Sequence, residues 1–62
     1  MNLHKNLREK HRMEQAASLL LKTQNDIAAI AQAVGYESQS RFTAAFKETY
    51  GELPTEYRRR RS

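Results

Sequence analysis

Apolar residues recur along this chain at the spacing of a helix. Ile27, Ile30, Ala31 and Val34 fall at relative positions 0, 3, 4 and 7 and make one stripe down a short helix. Asp26 stands where an N-cap belongs, with an acceptor side chain for the orphan amides of the first turn. Gly35 ends the stripe, as a residue able to take positive φ after a helix. A second stripe follows Ser38, the expected cap of the next helix. Phe42, Ala45, Phe46 and Thr49 share one arc of its wheel and are expected to face a core. The opposite arc holds Ser40, Thr43, Ala44 and Lys47, with Gln39 and Arg41 on the flanks of the first turn. Gly51 closes this helix.

On either side the pattern is weaker. A first helix is expected from about Leu3 to Leu21, with Leu3, Leu7, Met13, Ala16, Ala17, Leu20 and Leu21 as its apolar positions. Its first half carries only Leu3 and Leu7 among polar residues. That half needs a partner to stay helical, because a helix without a packed face is marginal in water. Lys22 to Asn25 is a polar break. Pro54 suits the first turn of a short last helix running to about Arg60, with Tyr57 folded back on the core. Ala16, Ala17, Ala28, Ala31 and Ala45 are expected at inward positions, where small side chains let helices cross closely. The expectation is an all-α fold: one small helical domain with a helix-turn-helix over 26–51, homeodomain-like, preceded by a long helix over 1–21.

Composition narrows the function. Sixty-two residues allow one domain, near the lower size limit for independent folding. Cysteine is absent, which excludes disulfides and thiolate metal sites and fits a reducing cytoplasm. No apolar run approaches the length of a signal peptide's core or a membrane span, so a cytoplasmic protein with no membrane partner is expected. The net charge of +4 is unevenly spread: residues 1–12 carry +3, residues 13–57 carry −3, and Arg58, Arg59, Arg60 and Arg61 add +4. Basic ends around a less basic centre suit a polyanion such as double-stranded DNA, and they equally suit a merely solubilising tail over 58–62.

The candidate chemistry is that of recognition. Gln39 matches adenine N6 and N7 bidentately if it enters a groove, and is otherwise a solvated first-turn residue. Arg41 suits a phosphate better than a guanine, since phosphates take most protein–DNA hydrogen bonds. Ser40 and Thr43 fit a phosphate, a base edge or local backbone bonding. Lys47 fits a phosphate. No acid occurs from Ser38 to Lys47, while Glu37 and Glu48 bracket that stretch. The carboxylate of Asp26 fills the anion position at the N-terminus of its own helix. Tyr36, Tyr50 and Tyr57 read as core edges with wet hydroxyls rather than a stacking platform. His4 and His11 are seven apart, whereas a helical metal pair needs i, i+4 spacing and further ligands, so no metal is expected. No nucleophile–base pattern and no glycine-rich phosphate loop occurs, so neither an enzyme nor a cofactor is expected.

Three segments, RMEQAASLL over 12–20, DIAAIAQAVGYESQSRFTAAFKETYG over 26–51 and PTEYR over 54–58, resemble in order and spacing the C-terminal signature of AraC/XylS-type bacterial transcription regulators. That family's DNA-binding domain holds two helix-turn-helix units joined by a long helix. The resemblance covers the joining helix and the second unit. It implies that the chain is a portion of such a regulator, its first unit and its effector-binding and dimerisation domain lying elsewhere. It further implies a recognition helix over Ser38–Lys47 in the major groove, with base contacts from Gln39, Ser40, Thr43 and Ala44. Two residues depart from the family pattern. Ala44 stands where an arginine is common, which leaves at most a methyl contact to thymine. Leu53 replaces the small hydroxyl residue before the proline, so the last helix is expected to lose its cap. A rival function is docking on RNA polymerase, or on the missing half of the regulator, through Leu3 and Leu7.

Overall fold

The computed structural model describes the backbone of residues 3–61 and the side chains of residues 9–61. The roles expected of Leu3, Leu7 and His4 lie outside the described side chains. Four helices follow one another: α1 (Leu3–Lys22), α2 (Ile27–Ala33), α3 (Gln39–Tyr50) and α4 (Pro54–Arg61). No strand occurs among the described residues, and none of the helices is long and apolar enough to cross a membrane.

One core joins them. From α1 it takes Met13, Ala16, Ala17 and Leu20, from α2 and its cap Ile27, Ile30, Ala31 and Val34, and from α3 Phe42 and Phe46. The first two sets share the 0, 3, 4, 7 spacing, so each helix turns one stripe inward. Alanines at 16, 17 and 31 let the helices approach closely. The rings of Tyr36, Phe42, Phe46 and Tyr57 form a chain with successive centroids 5.8, 5.9 and 5.3 Å apart, and Tyr50 closes on both Phe46 and Tyr57. Edge and tilted contacts of this kind add orientation to area burial and fix how α3 is rotated about its axis.

The caps explain where the helices begin and end. Asp26 Oδ1 accepts from the Ala29 amide at 3.3 Å, and Ser38 Oγ accepts from the Arg41 amide at 3.1 Å. After α2, the Tyr36 amide bonds to the Ala31 carbonyl at 2.9 Å and the Gly35 amide to that of Gln32 at 3.0 Å. Gly35 sits at φ +96 between them. This is a Schellman closure, which requires the left-handed residue that glycine supplies.

The structure corrects several expectations. Leu21 is 47% exposed: it lies about 100° round the helix from Leu20 and misses the stripe. Ala28 is likewise exposed, one residue beyond Ile27 on a helix whose stripe is complete without it. Thr49 faces solvent and donates its hydroxyl to the Ala45 carbonyl at 3.0 Å, because Tyr50 takes the inward position in that turn, against Phe46 and Tyr57. The last helix keeps half a cap. Leu53 offers no acceptor side chain, but Glu56 reaches back so that its Oε1 accepts from the Leu53 amide at 3.0 Å. The three tyrosines do lie at the core edge, yet the Tyr36 hydroxyl is buried rather than wet and has no hydrogen-bond partner among the described residues.

Candidate nucleic-acid interface

With Phe42 and Phe46 buried, the other side of α3 must face out. Gln39, Ser40, Thr43, Ala44 and Lys47 line one shallow open groove there. Gln39, expected on the flank, joins this row. Arg41 is exposed but does not line the groove, so it stands beside the row. Ser38 is committed to capping through its oxygen and keeps its hydroxyl proton for another acceptor.

The far wall of the groove is Leu53. In the sequence this residue signals only a lost cap. The signal that it belongs to the site is the pair Gly51 and Pro54: Gly51, at φ +79, reverses the chain after α3, so the residues before Pro54 fold back beside the helix. The groove carries amide, hydroxyl and ammonium groups along α3, and apolar surface at Ala44 and Leu53. No acidic side chain lines it.

The four arginines are not an extended tail, as each lies in α4. Arg58 is half-buried: its Nε donates to the Leu20 carbonyl at 3.0 Å and a terminal nitrogen to that of Thr23 at 3.3 Å. Those carbonyls belong to the end of α1, where a cation also meets the negative end of the helix dipole. Arg58 is therefore a structural clamp rather than a freely offered phosphate ligand. Arg60 and Arg61 hold the two carboxylate oxygens of Glu52 at 3.1 and 3.2 Å, and the Arg61 guanidinium also lies 4.1 Å from the Tyr57 ring centre. Arg59 is exposed. Arg12 lies over the Tyr36 ring at 5.6 Å and packs beside the turn at Gly35.

One tyrosine is electrostatically perturbed. Burial pushes the Tyr50 phenol above its ordinary value of 10.0, and the neighbouring Tyr57 and Glu14 push it the same way. It stands on the core side of α3, not in the groove. Among the described residues, no cluster of three or more His, Cys, Asp or Glu side chains is placed to hold a metal.

Residues 4–60 match the family model described as a helix-turn-helix domain. A helix-turn-helix-type transcriptional regulator of Haemophilus influenzae is 42% identical over 81% of this chain and 17% of that protein. The transcriptional regulator AlkR of Acinetobacter baylyi is 40% identical over 81% of this chain and 16% of its own length. The chain thus spans about a sixth of the curated relatives it matches. Among solved structures, the C-terminal domain of AraT, a response regulator from Geobacillus stearothermophilus, superposes with a TM-score of 0.81 at 51% identity, covering 82% of this chain and 42% of that one. The C-terminal domain of the response regulator yesN from Fusobacterium nucleatum gives 0.82 at 38% identity, covering 94% and 55%. The chain belongs to the AraC-type helix-turn-helix family, a family of non-enzymatic DNA-binding domains of transcription regulators.

Proposed function

We propose that this member of the family acts as a major-groove reader within a bacterial transcription regulator, working in the cytoplasm on double-stranded DNA. The observation that carries the proposal is the single groove formed by Gln39, Ser40, Thr43, Ala44 and Lys47 on the face of α3 opposite the buried phenylalanines. A helix of 12 residues is about 18 Å long, and one exposed face of it fits the major groove. In this reading Gln39 pairs with an adenine edge, Ser40 and Thr43 meet base edges or phosphates, and Lys47 and Arg41 meet the backbone. Arg59, Arg60 and Arg61 contribute long-range attraction, while Arg58 acts through the fold. Effector sensing and dimerisation belong to other parts of such a regulator.

A single unit of this kind binds weakly, with Kd near the non-specific range of about 10⁻⁴–10⁻⁶ M at physiological salt. The test is an amide NMR titration with a short duplex at low and then moderate salt. Shifts at 38–47 that persist with salt support groove reading. Shifts confined to 58–61 that vanish with salt remove α3 from the interface and favour a protein partner such as RNA polymerase.

A further inference from the structure

We propose that Leu53 reads the 5-methyl group of a thymine, acting with Ala44 as the apolar wall of the α3 groove; this rests on the major-groove reading above. Leu53 lies outside the recognition helix, yet it lines the same groove as Gln39, Thr43 and Ala44. Its backbone is held at two points. Its amide donates to Glu56 at 3.0 Å, and its carbonyl accepts from the Tyr57 amide at 2.9 Å. The buried Pro54 follows directly. The side chain is therefore presented from a fixed support and stays half-exposed, with its surface toward the groove.

The chemistry of the groove selects the ligand. In the major groove every base edge offers hydrogen-bonding atoms, and only thymine adds an apolar group, its 5-methyl. Ala44 alone presents one methyl group. Leu53, facing it from the turn after Gly51, supplies the larger surface that desolvates a methyl group between them. Gln39 and Ala44 are five residues apart, or about 7.5 Å along the helix. The thymine is thus expected within about two base steps of the base that Gln39 meets. The acids flanking Leu53 do not oppose DNA at full strength: Glu52 is paired with Arg60 and Arg61, and Glu56 is bound to the Leu53 amide.

The test uses the whole chain. A preferred duplex is selected from a randomised pool at low salt, and each thymine is then replaced singly by deoxyuridine, which removes only the methyl group. Binding is read by fluorescence anisotropy for the wild type, Leu53→Ala and Gln39→Ala, with each fold checked by its amide spectrum. One thymine-to-uracil change should weaken wild-type binding about fourfold, as one buried methyl implies, and should leave Leu53→Ala binding both duplexes alike. If every uracil duplex binds the wild type like its thymine parent, or if Leu53→Ala keeps the wild-type ratio, Leu53 does not read the methyl group. If Gln39→Ala still weakens the selected duplex in that case, groove reading by α3 survives and only the role of Leu53 is lost. If no sequence is preferred and Gln39→Ala changes nothing, both readings fail together.

Discussion

Arg58 donates to the carbonyl of Leu20 across 38 positions of sequence, tying the middle of α4 to the end of α1. Its second bond, to Thr23, makes the guanidinium a bracket over the last turn of α1. Carbonyls there have no partner within their own helix, so the arginine satisfies groups that would otherwise turn to water. Arg58→Ala is expected to destabilise the fold by about 1.5–3 kcal/mol, the range for hydrogen bonds to a charged group. Arg58→Lys keeps the charge but loses the fork geometry and should recover only part of that. Urea denaturation followed by circular dichroism measures both. A lysine variant as stable as wild type would show that charge alone holds α4.

Gly35 carries the turn between α2 and α3 at φ +96. A Cβ added there would meet the Arg12 guanidinium at 3.7–3.8 Å, which is ordinary contact. The cost of Gly35→Ala is therefore backbone strain, about 1–2 kcal/mol. Gly35→Asn should cost less, since asparagine tolerates the left-handed region better. Equal denaturation midpoints for the alanine variant and the wild type would mean that the turn relaxes without strain.

The raised Tyr50 phenol couples stability to alkaline pH. The folded chain holds this proton more tightly than the unfolded chain, whose phenol titrates near 10. Stability from this group is present in full below pH 10 and is lost as pH rises through the higher folded value. Thermal melts at pH 8 and pH 11 should show a smaller drop for Tyr50→Phe than for the wild type. A drop of the same size in both would place the alkaline loss elsewhere.

Arg41 and Lys47 differ in position but share a predicted role. Arg41 stands beside the groove and Lys47 lines it. If each neutralises one phosphate, Arg41→Ala and Lys47→Ala should each lower the slope of log affinity against log salt by about 0.9. Titrations at several salt concentrations measure this. A residue whose removal leaves the slope unchanged makes no phosphate contact.

The legible parts of the fold are those decided locally. The stripe Ile27, Ile30, Ala31, Val34 is buried as its spacing requires, and Asp26 and Ser38 cap as their types allow. Sequence pattern and structure part at the ends of helices and at single alanines. Ala28 and Ala31 are identical in type, and only the neighbouring helices determine which is covered. Thr49 sits on the inward arc of an ideal wheel, yet Tyr50 has the larger ring to bury and takes the place.

Periodicity, two capping side chains and two glycines were enough, from the sequence alone, to determine four helices, the turn between the second and third, and an outward face on α3 free of acids as far as Lys47. These features depend on residues within a few positions of one another. Tertiary structure alone decided what the last segment does. The run of four arginines looks uniform in sequence, but folding sends Arg58 to the carbonyls of α1 and Arg60 and Arg61 to Glu52. Leu53 likewise becomes a wall of the groove only because the chain reverses at Gly51 and packs Pro54 inward. Contacts across such distances follow from how the helices cross, and no local pattern records that.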